Sequence, residues 1–292
     1  MPRPRKQQIS LDATPFYHCI SRCVRRAFLC GNDPSTGRSH EHRRQQLEDN
    51  ALRLASIFYI DIAAFAVLSN HYHLVLHINR KPCLDATPRS IVARWHQLFG
   101  GTPLSQRYLD DEPIDAHERG PLNTLIETWR KRLHSINWFM RVLNETTARN
   151  ANKEDDYTGH FWESRFKCQA VLDEPAVLSC MAYVDLNPIR AAMTETPEQS
   201  DHTSIKLRIQ HWKDKAASTN NIEQSTDDFQ PPNLLKFVGD PRQPMPEGIP
   251  FNLTDYLELV ERTCRQIRDD KRDVNDGTFP PILERLTISP KH

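Results

Sequence analysis

The chain has 292 residues, enough for one large domain or two small ones. Thirty-eight Lys and Arg balance 38 Asp and Glu, which excludes a uniformly basic nucleic-acid binder but not a local basic patch. No apolar run reaches the roughly 20 residues of a membrane span, no apolar signal core follows the basic N-terminus, and seven Cys include no CxxC pair, so a soluble, cytoplasmic protein with reduced thiols is expected.

Within residues 1–30, Arg3, Arg5, Lys6, Arg22, Arg25 and Arg26 are balanced by Asp12 alone, so positive charge gathers at the start of the chain. PFYHCISRCV (15–24) has the apolar, β-branched character of a first strand, and GNDPSTGRSH (31–40) reads as a loop. From Glu41 to Phe58 the residues Leu47, Ala51, Leu54, Ala55 and Phe58 recur at helical spacing. YIDIAAFAVL (59–68), a Ser69-Asn70 turn and HYHLVLHI (71–78) predict an antiparallel hairpin. The order so far is β-α-β-β.

Residues 80–120 lose this periodicity and read as an insertion whose middle, SIVARWHQLF, predicts one short helix. Helical spacing resumes near Leu122 and runs, with a break, to about Asn150. Trp129, Leu133, Ile136, Met140 and Leu143 form its apolar face, with Arg130, Lys131, Arg132 and Arg141 on the other. TGHFWESRFKCQAVL (158–172) predicts a further strand. Asp173 is placed to cap the next helix, with Pro175 in its first turn. That helix ends or kinks at Asn187-Pro188, because proline lacks an N–H and crowds the preceding turn. Residues 200–250 are polar and proline-rich and read as a linker, partly ordered against the main body. A helix from about Thr254 to Arg272 follows, with Leu257, Val260, Cys264 and Ile267 on one face.

Two constellations carry chemistry. On a strand, His71 and His73 share one face at roughly 6–7 Å, close enough for two imidazoles to meet one ion. His77 shares that face but lies roughly 13 Å beyond His73, too far to join them. Alone, a His-x-His pair reads equally well as packed structural histidines. Tyr183 and Asn187 stand four apart in YVDLNPIR and so project from one helix face. Alone, that pair reads as a core tyrosine and a helix stop. Together, two imidazoles, an amide and a phenol match a site that polarises a phosphate and attacks it.

SNHYHLVLH (69–77), GHFWESRFK (159–167) and YVDLNPIRA (183–191) resemble the single-stranded-DNA transposases that carry the HUH motif (His, hydrophobic residue, His). The resemblance is to their REP-associated tyrosine transposase branch. YHCISRCVRRAF (17–28) is similar to the first strand of that family, and the order and spacing of the four blocks match. The likeness spans roughly residues 10–195 without the insertion and extends to GIPFNLTDYLELVERTCRQIRDDKR (248–272), which resembles the tail of longer members. The resemblance implies an α+β, ferredoxin-like antiparallel sheet with packed helices. It implies a catalytic domain over 1–200, with 80–120 inserted, and a linker with a helical extension over 201–292.

It also implies roles. Tyr183 would be the nucleophile, and His71, His73 and Asn187 would hold a divalent ion, Mg²⁺ or Mn²⁺. The substrate would be single-stranded or hairpin DNA with palindromic repeats. Arg22, Arg25, Arg26, Arg165 and Lys167 are candidates for phosphate contacts, and Trp162 for stacking on an unpaired base. Tyr72 stands where the family usually has an aliphatic residue. It points to the opposite face and is expected in the core. Arg262, Arg265, Arg268, Lys271 and Arg272 form a basic stripe that reads equally well as a solvated face. A monomer is the expected state. Two other readings stay open: a hydrolase that uses water, and a catalytically idle hairpin-binding regulator.

Overall fold

The computed structural model describes residues 9–24, 29–32, 37–218, 230–239, 248–269 and 282. Four strands form one sheet: β1 (Phe16–Arg22), β2 (Ile60–Val67), β3 (His71–Ile78) and β4 (Lys167–Val171). Their spatial order is β2-β3-β1-β4, and every neighbouring pair is antiparallel. Helix α1 (His42–Ile57) connects β1 to β2, and a helical segment connects β3 to β4. This is the β-α-β-β-α-β path of a ferredoxin-like α+β fold.

Strand alternation gives the sheet two faces with different duties. Tyr17, Cys19, Tyr72, Leu74 and Leu76 point one way and pack on the cluster of Leu47, Leu54, Trp129, Phe139 and Leu143. Those five come from α1, α5 (Ala116–Leu133) and α6 (Ile136–Glu154). The helical pattern expected over 122–150 is thus two helices, with its break at His134-Ser135. Tyr72 lies fully buried on this face, as expected, and its hydroxyl donates to Asn144 Oδ1 at 2.6 Å.

The opposite face presents Phe16, Val75, Ala64 and Ala66 to a second cluster. That cluster is built from α7 (Glu174–Asp185), α8 (Asn187–Arg190), α9 (Ser204–Ser218) and α10 (Leu253–Asp269). Leu257, Val260 and Cys264 of α10 are buried there, as their spacing predicts. A bulge at Ala63 breaks the β2–β3 ladder, and C-terminal segments satisfy β2 around it. Leu235 N–H donates to Ile62 C=O at 2.8 Å, and the buried Arg208 donates to Ala63 C=O at 3.0 Å. Val67 N–H donates to His202 C=O at 3.0 Å. The outer edge of β2 is therefore covered along its length rather than left open to pairing.

Three expectations change. Within 200–250, expected as a linker, Ser204–Ser218 form α9, and its Ile205 and Ile209 are buried in the second cluster. Residues 80–120 are not irregular: α2 (Arg80–Asp85), α3 (Pro88–His96) and α4 (Pro103–Leu109) precede the first turn of α5. Thr87 and Thr102 cap α3 and α4, each with proline in the first turn, and Asp115 forms a capping box with Glu118. The strand expected over 158–172 occupies only 167–171. Before it the chain is irregular, pinned by a single bridge between Cys23 and Trp162 and by Trp162 Nε1 donating to Asn144 C=O at 2.9 Å.

Candidate active site

The site lies on the sheet face that carries His71 and His73, at the end where α7 gives way to α8. Asp173 caps α7 by accepting from Ala176 N–H at 2.8 Å, and Pro175 sits in the first turn. The helix stops at Asp185, and α8 starts at Asn187, just before Pro188. The break is slight, because Leu186 N–H still reaches Ala182 C=O at 3.0 Å and Arg190 N–H reaches Leu186 C=O at 2.9 Å. Tyr183 and Asn187 therefore keep their common side.

That side meets the histidines. Asn187 Nδ2 lies 3.3 Å from His73 Nε2, and the Tyr183 ring stands edge-on to His73 at 5.9 Å. His71 and His73 have ring centroids 5.0 Å apart. Tyr183 is 43% exposed although its neighbours on α7 are buried, so its phenol is open to a large substrate. Arg190, two turns on, holds its guanidinium 5.5 Å from the Tyr183 ring centroid. His77 stays apart, against Phe16 and Asp61, as the strand spacing requires.

A third imidazole joins them. His18 of β1 places Nε2 at 2.9 Å from His73 Nδ1, with the rings stacked at 5.1 Å. The sequence holds His18 on the same parity as Arg22, but nothing in it reports the β1–β3 register that sets His18 beside Val75 and next to His73. Arg190 was legible in principle, seven residues after Tyr183 on the same helical face.

The three imidazoles are held neutral. Burial pushes His73 down to about 3, helped by the nearby His18, His71 and Arg22. Burial and Arg22 push His71 down to about 4, and burial lowers His18. Neutral imidazole is the ligating form. His71 Nδ1 is engaged by Asn70 Oδ1 at 2.6 Å, and His73 Nδ1 by His18. His71 and His73 thus have their inner nitrogens occupied, which leaves Nε2 as the ligating nitrogen of each, and in His73 that atom faces the Asn187 amide. Turning the Asn187 amide over replaces Nδ2 by the oxygen a cation needs. Among the described residues no three His, Cys, Asp or Glu are arranged to hold a metal ion; His71, His73 and Asn187 are the residues that could offer two imidazole nitrogens and an amide oxygen to one.

The candidate DNA contacts divide. Arg22 is exposed and pairs in register with His71, and Lys167 is exposed in register with Ile20, the partner of His73. Cross-strand partners share a face, so both belong to the site face. Arg165 is exposed but precedes β4, outside the strand that was expected to begin at 158. Trp162 is half-buried, edge-on to Tyr72 at 5.7 Å, with its N–H already donated. Arg25 and Arg26 lie outside the described residues. So do Lys271 and Arg272 of the C-terminal stripe. Arg262 and Arg265 sit in pairs with Glu258 and Glu261 one turn back on α10, at 3.5 and 3.0 Å.

No helix among the described residues is long and apolar enough to cross a membrane. No protein-family model and no curated protein matches the chain. Among solved structures, the chain is similar to a REP-associated tyrosine transposase bound to a REP hairpin, at 12% identity and a TM-score of 0.41. The match covers 77% of this chain and 92% of that one.

Proposed function

We propose that this protein is a metal-dependent single-stranded-DNA endonuclease and strand transferase that acts on hairpin DNA through a 5′-phosphotyrosine. One observation carries the reading: an exposed tyrosine and a buried asparagine at one helix break meet His73, whose ring lies 5.0 Å from that of His71 on the same sheet face. A Mg²⁺ or Mn²⁺ ion held by His71, His73 and Asn187 would supply polarisation of the scissile phosphate.

The chain's own residues do the rest. Arg22 and Lys167 hold the strand across the site face by its phosphates. Tyr183 gives up its phenolic proton and forms an O–P bond as the P–O3′ bond breaks. The departing 3′ oxygen takes up a proton and leaves as a 3′-hydroxyl. The phosphotyrosine keeps the energy of the bond that was cut, so a 3′-hydroxyl attacking the same phosphorus reverses the step and joins strands. Arg190 lies where its charge faces a phosphate bound at Tyr183. The substrate is unpaired at the scissile bond, because a single strand can bring its phosphate to the exposed Tyr183 and to the buried His73 and Asn187 together, as a duplex backbone cannot.

The test is incubation with hairpin oligonucleotides labelled at either end, with Mg²⁺ or Mn²⁺. The expected product is a protein–DNA adduct that survives denaturation and carries the 3′-end label, together with a free 3′-hydroxyl fragment. A nick without an adduct would favour a hydrolase that uses water. Tight hairpin binding with neither would favour an idle regulator.

A further inference from the structure

Seven cysteines without a CxxC pair give no sign of a disulfide, yet the fold brings two of them together from 149 residues apart. Cys19 of β1 and Cys168 of β4 are register partners, and the Cys19 thiol donates to Cys168 Sγ at 3.7 Å. Both lie on the face of the sheet opposite the histidines, with Cys168 packed against the core cluster that holds Cys19. Cys19 is fully buried, and Cys168 is partly exposed on the edge strand.

The backbone decides what this pair can do. At the two ends of β1, Pro15 C=O accepts from Ile78 N–H and Cys23 N–H donates to Asn70 C=O, both on the β3 side. Arg22 C=O accepts from Glu163 N–H and Val24 N–H donates to Phe161 C=O, on the side that leads into β4. Odd-numbered residues of β1 therefore turn their polar groups to β3 and even-numbered ones to β4. Cys19 and Cys168 form a non-hydrogen-bonded pair, flanked by His18 with Gln169 and Ile20 with Lys167. At such pairs the Cα atoms stand about 4.5 Å apart and the side chains are closest. A disulfide spans Cα separations of roughly 4.4–6.8 Å, so turning the two side chains closes the gap with the backbone in place. A separation at the short end leaves the bond strained and so open to reduction. Elsewhere, burial pushes the thiols of Cys30 up to about 12 and of Cys83 and Cys180 up to about 11, which keeps them protonated at neutral pH.

We propose that Cys19 and Cys168 are an oxidation site, closed by a peroxide into a reversible disulfide that locks the edge strand β4 to β1. The accessible Cys168 reacts first. Its sulfur bonds to one peroxide oxygen, the O–O bond breaks, and the other oxygen leaves as water with the thiol proton. Cys19 then attacks the sulfur of the Cys168 sulfenic acid. The S–O bond breaks, and the departing hydroxide takes the Cys19 proton and leaves as a second water. The two thiols lose two electrons and the peroxide gains them. β4 carries Lys167 to the site face and runs through Asp173 into the helix of Tyr183, so the bond tethers the strand ahead of that helix to the strand of Arg22. The disulfide does not depend on the function proposed above.

The experiment treats the full, reduced chain with hydrogen peroxide, without DNA or metal, blocks the remaining thiols and weighs unreduced tryptic peptides. The expected product joins Gln7–Arg22 to Cys168–Arg190 with the loss of two hydrogens, and dithiothreitol restores both peptides. Cys180 shares the second peptide, so two variants assign the link: Cys168→Ser is expected to abolish it and Cys180→Ser to keep it. Both positions are only partly buried, and each change replaces one atom. In the oxidised chain the Gln169 and Val171 amides, which face β1, are expected to exchange hydrogen more slowly. No linked peptide, a link that survives in Cys168→Ser, or Cys168 carried on to sulfinic acid would overturn the site. A link that leaves β4 exchange unchanged would overturn the lock. A chain that forms the link but no adduct on Tyr183 would uphold this site and overturn the catalytic reading alone.

Discussion

At the scale of single residues, the site is a set of neutral imidazoles kept neutral by burial. An unfolded chain protonates histidine near pH 6.5, whereas folded His71 and His73 refuse the proton down to about 4 and about 3. Below pH 6.5 the unfolded state therefore binds more protons, and stability falls as pH drops. Asp185 acts in the opposite sense. Burial pushes it up to about 6, so the folded chain takes that proton first and gains from acidification between about 6 and 4. Metal-free His73→Ala is expected to lose one acid-sensitive site. Its urea-unfolding free energy should fall less steeply below pH 6, by up to about 1.4 kcal/mol per pH unit. Parallel slopes for the two proteins would mean that His73 is freely protonated in the folded chain. The candidate residues were legible as two pairs, His71 with His73 and Tyr183 with Asn187, each with a structural reading of its own, and the fold brings the pairs together. His18 was not legible, because its place beside His73 depends on strand register, a long-range property.

At the scale of elements, the helix that carries Tyr183 is held from behind. Asp185 accepts from Ser204 Oγ at 2.5 Å, Ile205 N–H at 2.9 Å and Tyr256 OH at 2.6 Å. One carboxylate thus ties α7 to both α9 and α10. The buried Arg208 lies close enough to offset its charge, and burial lowers Arg208 to about 10. Tyr256→Phe keeps the ring against Phe237 and removes one bond to a buried carboxylate. The expected cost is about 1–3 kcal/mol, read from the urea midpoint. An unchanged midpoint would mean that the carboxylate finds another donor. The short helices of 80–120 show what sequence periodicity misses. Seven- and nine-residue helices give too few turns for a spacing pattern, yet Thr87-Pro88 and Thr102-Pro103 announce two starts through cap chemistry. The strand at 158–172 was overextended for the opposite reason. Its apolar rings fit a strand pattern, but Phe161 is buried and Trp162 half-buried against the core without a strand ladder.

At the scale of the molecule, a chain of zero formal charge still presents a positive strip on the sheet face through Arg22, Lys167 and Arg190. Composition hid this, because charge totals carry no geometry. Arg22→Ala is expected to weaken hairpin binding at low salt and to reduce the slope of log affinity against log salt by about 0.7 to 0.9. The same change at Arg262 should leave the slope as it was, since Glu258 already accompanies that charge. A slope that responds to Arg262 and not to Arg22 would place the DNA on α10. The central claim is that the phenol of Tyr183 makes the covalent bond, and peptide mapping addresses it most directly. Trypsin releases Cys168–Arg190, in which Tyr183 is the one tyrosine. After reaction with a hairpin and nuclease trimming, that peptide is expected to carry the nucleotide. Tyr183→Phe, which keeps the ring and removes the oxygen, is expected to bind the hairpin normally and to yield neither adduct nor nick. An adduct on another peptide, or full nicking by Tyr183→Phe, would contradict the account.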